Sequence, residues 1–119
     1  MPDAKTYAGS CHCGAVRYKA TTDFARVIEC NCSMCSRAGT LLTFVSPEQF
    51  ELVAGENAST DYVFNKHVIH HRFCSTCGIK AYAEGKMRDG TAMFAVNVRC
   101  LEGVDPSQLT ITKVDGRSF

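Results

Sequence analysis

The chain has almost no charge imbalance, with 13 Lys and Arg against 12 Asp and Glu and a formal net charge of +1. No run of like charge forms a basic stripe, so the electrostatic footprint that a phosphate backbone demands is missing and nucleic acid is not an expected partner. No stretch reaches the ~18 consecutive apolar residues of a membrane span. The start Met1-Pro2-Asp3-Ala4-Lys5 also lacks the apolar centre of a secretory signal. The expectation is a soluble, cytoplasmic protein with no membrane partner. No long-period repeat, low-complexity tract or linker rich in Gly, Pro or Ser divides the sequence, so residues 1–119 read as one domain. With 45% apolar and 21% charged residues, the composition is that of a folded globule and excludes intrinsic disorder.

What the chain has in quantity is cysteine, 8 in 119 residues. That fraction lies below the ~8–10% of small secreted disulfide scaffolds, and a reducing cytosol disfavours structural disulfides, so the thiols need another role.

Nine short alternating or β-branched runs recur, at residues 15–20, 27–30, 41–45, 51–53, 61–64, 68–73, 79–82, 93–98 and 109–114. Their close spacing predicts a mainly β, antiparallel fold. Helix signals are brief. Ser46-Pro47-Glu48-Gln49 and Asp105-Pro106-Ser107-Gln108 each place a cap residue before proline and Gln three residues after the cap, which predicts a single helical turn leading into the next strand. Gly55, Gly85, Gly90 and Gly116 read as turns, with Asp89-Gly90 and Asp115-Gly116 the best hairpin dipeptides. Tyr18, Tyr62, Phe64 and Phe73 fall at strand spacing and read as core or sheet-face residues.

The cysteines group as Cys11 and Cys13 in CxC, Cys30, Cys32 and Cys35 in CxCxxC, Cys74 and Cys77 in CxxC, and Cys100 alone. Thiolates two or three residues apart point at one centre from a tight turn, and two such turns brought together complete a tetrahedral Zn²⁺ site. A disulfide within CxC would strain the geometry that bond requires. Cys11-His12-Cys13-Gly14 and Cys74-Ser75-Thr76-Cys77-Gly78 both carry glycine after the second cysteine, where left-handed backbone turns amides towards sulfur. These four cysteines therefore pair as one closed, structural site, whose ion would contribute folding energy and offset the closure of a loop of roughly sixty residues.

Cys30, Cys32 and Cys35 are left with three ligands and no partner turn. Three protein ligands and one open position form the catalytic pattern of zinc. The competing readings are completion by Cys100 or His71 as a second structural site, an iron–sulfur cluster, or uncoordinated thiols, including a labile redox-sensing site. Cys100 follows a strand and is as readily a buried, unreactive thiol as a ligand. His70, His71 and Glu29 are candidates for moving a proton at the open site, although a histidine beside a metal knuckle is more often a hydrogen-bonding support. Arg37 and Arg99 are candidates for holding a carboxylate of the ligand, against the alternative of solvated surface arginines. His12 and His67 read as surface residues.

The ordered segments Gly9-Ser10-Cys11-His12-Cys13-Gly14-Ala15-Val16, Cys30-Asn31-Cys32-Ser33-Met34-Cys35, His71-Arg72-Phe73-Cys74-Ser75-Thr76-Cys77-Gly78 and Val96-Asn97-Val98-Arg99-Cys100-Leu101 resemble the glutathione-dependent formaldehyde-activating enzyme family, which also includes centromere protein V. Phe50 to Glu56 and Tyr62-Val63-Phe64 fit the same pattern, and the resemblance spans about residues 8–105. It implies coiled antiparallel sheets stapled by zinc, the β-tent or Mss-four-like fold. It further implies two Zn²⁺ per chain: a structural ion on Cys11, Cys13, Cys74 and Cys77, and a catalytic ion on Cys30, Cys32 and Cys35. The implied activity is formation or cleavage of S-hydroxymethylglutathione, a carbon–sulfur lyase reaction whose partners are a glutathione-like thiol and an aldehyde. Where relatives carry an Arg-Ser-Asn-Pro-Asp-Gly-like loop, this chain has Lys86-Met87-Arg88-Asp89-Gly90. The same fold also suits a non-catalytic, zinc-stapled binding module.

Overall fold

A computed structural model of the chain describes residues 4–63, 69–86 and 89–115. Alternation of apolar and polar side chains sets the strand faces: β2 (Arg17–Thr22) buries Tyr18, Ala20 and Thr22 while Arg17 and Lys19 face solvent. It pairs antiparallel with β1 (Lys5–Ser10) and with β5 (Phe50–Ala54), giving a three-stranded sheet of order β1-β2-β5. A seven-stranded sheet runs β10-β3-β4-β9-β8-β7-β6, built from β3 (Val27–Cys30), β4 (Leu42–Val45), β6 (Ser59–Tyr62), β7 (His70–Cys74), β8 (Lys80–Lys86), β9 (Ala92–Asn97) and β10 (Ile111–Val114). The two sheets bury one core containing Val16, Tyr18, Ala20, Val45, Ala81, Tyr82, Val96 and Leu101. An aromatic column joins them: Tyr18 lies 5.2 Å from Phe50, which stacks on Phe94 at 4.2 Å. The Tyr18 hydroxyl donates to the Ala81 carbonyl at 3.0 Å, so the ring is held at both ends.

The protein is a small, mainly β domain of largely antiparallel strands, as the nine runs predict, with strand ends shifted by a few residues. The two Pro-containing turns form as 3₁₀ turns at Pro47–Gln49 and Pro106–Gln108. Four features depart from the sequence reading. β1 carries little apolar alternation because it is a largely exposed edge strand, and it gives no period-2 signal. Gly85 is not a turn residue but sits within β8 opposite Met93. β10 pairs parallel with β3, Val114 opposite Cys30, in an otherwise antiparallel sheet. A six-residue helix, α1 (Ser33–Ala38), lies between β3 and β4; it is too short to show a helical period. Phe64, His67, Met87, Arg88 and Gly116 lie outside the described residues.

Candidate metal centres

The first cysteine group is made where two strand-connecting turns meet. Cys11 and Cys13 lie between β1 and β2, while Cys74 is the last residue of β7 and Cys77 lies in the turn from β7 to β8. Gly14 and Gly78 adopt φ of +83° and +80°, the left-handed conformation their positions after each second cysteine require. The four sulfurs all lie within 4.8 Å of one another. Cys13 Sγ is 3.7 Å from Cys11 Sγ and 3.5 Å from Cys74 Sγ, close to the ~3.8 Å edge of a tetrahedron with Zn–S bonds of ~2.3 Å. Backbone amides aim at the sulfurs: Val16 N–H donates to Cys11 Sγ at 3.3 Å, and Thr76 and Cys77 N–H donate to Cys74 Sγ at 3.4 Å. Such bonds favour the thiolate, and the Ile79 and Cys13 amides pull the Cys77 thiol down to about 6. A set of converged soft thiolates with amide support fits zinc by its chemistry.

The second group sits at the end of β3 and the start of α1. Cys30 closes the strand, Cys32 is the N-cap of the helix, and Cys35 lies in its first turn. The cap is unusual because the side-chain acceptor is sulfur: Cys35 N–H donates to Cys32 Sγ at 3.3 Å, and Cys32 N–H to Cys30 Sγ at 3.5 Å. Gly39 ends the helix at φ +70° and returns its N–H to the Cys35 carbonyl at 3.0 Å. The three sulfurs lie within 4.8 Å of one another, and among the described residues no fourth Cys, His, Asp or Glu donor joins them at that distance. Cys35, Ile28 and Leu42 form a small apolar base beneath the group. Burial pushes the Cys35 thiol up to about 12 although Lys80 opposes the shift. For Cys32 burial also acts upward, but hydrogen bonds from the Cys35 amide and thiol outweigh it and bring Cys32 below its ordinary value. The neighbouring thiols thus hold their protons unequally, and a thiophilic cation would displace those that remain.

The other candidates separate. Burial holds the Cys100 thiol up at about 11, and the charges it feels are those of Cys11 and Cys77. It packs with the core around the first group and does not complete the second. His71 is 5% exposed on β7 and belongs to neither sulfur group; burial, with the nearby Lys80 cation, lowers its pKa to about 4. His70 is bonded to Asp61 at 2.8 Å. Arg37 is exposed, donates from one guanidinium nitrogen to the Ser33 carbonyl of its own helix at 2.9 Å, and lines neither of the two open hollows beside Arg99. His12 is exposed, as the sequence suggests.

Arg99 is differently placed. The Asn97 side chain accepts from the Arg99 N–H at 3.1 Å and donates to the Lys80 carbonyl at 2.9 Å, fixing the 3₁₀ turn Val98–Cys100. The exposed Arg99 side chain stands where two open hollows adjoin. One, of about 480 Å³, lies over Cys30 and Cys35 and is walled by Glu29, Arg99 and Lys113. The other, of about 810 Å³, runs towards Cys11 and Cys100 and is walled by Met34, Thr40, Lys80 and Arg99. Both fall within the size range of small-molecule sites. Lys80 and Thr40 carried no sequence signal; only the register of β8 and the end of α1 bring them here.

Among the described residues no helix is long and apolar enough to cross a membrane. A crystal structure of a protein from Rhodobacter sphaeroides is similar to this one, with a TM-score of 0.76 and 34% sequence identity, covering 88% of this chain and 99% of that one. The family profile described as glutathione-dependent formaldehyde-activating enzyme matches residues 6–113, a range that takes in both cysteine groups and all the strands but the start of the first and the end of the last. The chain belongs to the glutathione-dependent formaldehyde-activating enzyme family.

Proposed function

We propose that the protein is a zinc-dependent carbon–sulfur lyase that forms or breaks the S-hydroxymethyl adduct of a glutathione-like thiol with formaldehyde or a related aldehyde. The observation that carries this reading is the three-sulfur group of Cys30, Cys32 and Cys35 beside an open hollow, with no fourth protein donor among the described residues. In this reading Cys11, Cys13, Cys74 and Cys77 hold a structural zinc, and Cys30, Cys32 and Cys35 hold a catalytic one.

When bound there, zinc supplies a position at which a thiol loses its proton at neutral pH. The overall reaction joins the thiol sulfur to the aldehyde carbon, and the proton released from sulfur ends on the former carbonyl oxygen; the reverse reaction breaks the same carbon–sulfur bond. The chain's own residues arrange the encounter. The Cys32 and Cys35 amides orient the cysteine sulfurs before any ligand arrives. Ile28 and Leu42 keep water from their inner side. Arg99 and Lys113, both exposed on the wall of the hollow, offer cations to the carboxylates of a glutathione-like thiol.

The test is the Cys32→Ser variant, assayed for metal content and for turnover of glutathione with formaldehyde. Loss of one metal equivalent together with at least a hundredfold drop in turnover is expected. Retention of both equivalents with unchanged turnover would show the mechanism to be wrong, and a centre that ignores added thiols would favour the binding-module reading.

A further inference from the structure

Lys80, the first residue of β8, is 5% exposed, and its Nζ has no hydrogen-bond partner among the described residues. Thr40, 2% exposed on the same hollow, likewise has a hydroxyl with no partner among them. A buried ammonium without an acceptor costs several kcal/mol, so Lys80 keeps its charge there only where nearby negative charge offsets that cost. Among the described residues no carboxylate forms an ion pair with Lys80. Burial works against its charged form, and the charges that reach it and favour that form are the thiols of Cys35, Cys32 and Cys30. From the neighbouring strand β7, His71 also feels Lys80, and its depressed pKa leaves it neutral at pH 7. The lysine therefore lies within electrostatic reach of the three-sulfur centre, on the wall of a hollow of about 810 Å³ that it shares with Met34, the residue between Cys32 and Cys35.

Charge arithmetic gives this placement a consequence. Three thiolates around a divalent ion carry about −1, and a fourth thiolate raises this to about −2 in a half-buried site, where like charge is poorly screened. We propose that Lys80 is the positioning residue that admits a thiolate to the Cys30, Cys32 and Cys35 centre, its ammonium offsetting the negative charge that the incoming sulfur adds. Binding exchanges a thiol for a thiolate and a proton released to water; no carbon bond is made in this step. Lys80 thereby selects for an anionic sulfur ligand over a neutral one. The inference rests on the open-site reading proposed for the three-sulfur group.

The experiment uses the full chain loaded with cobalt in place of zinc and follows the cobalt absorption bands during titration with 2-mercaptoethanol, glutathione and the neutral ligand imidazole. Lys80→Met fills the same space without the charge, a change that buried sites often tolerate. Lys80→Gln is the second variant. Both are expected to keep their metal and to bind both thiols at least tenfold more weakly, about 1.4 kcal/mol, with imidazole affinity unchanged. Weakening of thiol and imidazole alike would mean a distorted site and overturn the proposal. Weakening of glutathione alone would mean that Lys80 meets a carboxylate, and this too would overturn it. Loss of cobalt from both variants would assign Lys80 to metal retention and would likewise overturn it. If the unmodified chain binds thiols and the variants match it, the role of Lys80 is refuted while the open site stands; if the unmodified chain ignores thiols, the open-site reading falls and this inference with it.

Discussion

Cys13 offers a clean perturbation of the first cysteine group. Its side chain is exposed at the surface, so Cys13→Ser removes no buried apolar area, and packing alone would put the change within about 0.5 kcal/mol. If the four sulfurs hold one ion, the same substitution weakens a cross-link between the β1–β2 and β7–β8 turns. Cys13 and Cys74 are 61 positions apart in sequence, and the chain-entropy relation for a cross-link of that span gives about 4 kcal/mol. That figure is an upper bound reached when the altered site no longer holds its ion. It is a large share of the ~5–15 kcal/mol available to a domain, and at roughly 4 °C per kcal/mol it corresponds to a fall of about 15 °C in Tm. The assay is denaturant and thermal unfolding of parent and variant, each with and without a chelator. The parent is expected to lose stability on chelation and the variant to start low and respond little. A variant within about 0.5 kcal/mol of the parent, or one that chelation destabilises as much as the parent, would refute the reasoning.

Two further outcomes test the fold and its electrostatics. At Gly9 a Cβ would lie 2.4 Å from the Tyr18 ring, which is 1% exposed and tied to Ala81. Gly9→Ala is therefore expected to cost about 1–3 kcal/mol in urea unfolding, although the backbone there is unexceptional. His71, lowered to about 4 by burial and Lys80, is neutral in the folded chain and should titrate near that value by NMR. Because its folded pKa lies below the unfolded value of 6.5, its neutral burial costs nothing above pH 6.5 and destabilises the fold progressively as pH falls towards about 4. A His71 midpoint near 6.5 in the folded protein would contradict that burial.

Local chemistry was the part of this protein open to reading in one dimension. Alternation located β2 because it turns one face to a core and one to water, and runs of β-branched and apolar residues located β3 and β9, which bury side chains on both faces. The exposed edge strand β1 and the short helix α1 escaped for the same reason: neither carries enough periodic residues to show a face. Arg37 and Arg99 look alike as surface arginines, yet one bonds back to the first turn of its own helix and the other stands over a hollow; the difference lies in the turn that Asn97 pins.

The sequence by itself determined that eight cysteines fall into two pairs, a triplet and one alone, because ligands two or three residues apart converge from any tight turn whatever surrounds them. Tertiary structure decided which turns meet, that Cys100 packs beside the first group, and that Lys80 comes within electrostatic reach of the second. Those placements follow from strand register, as in the pairing of β4 with β9, and from the parallel pairing of β10 with β3, contacts between residues tens of positions apart, which no local pattern encodes.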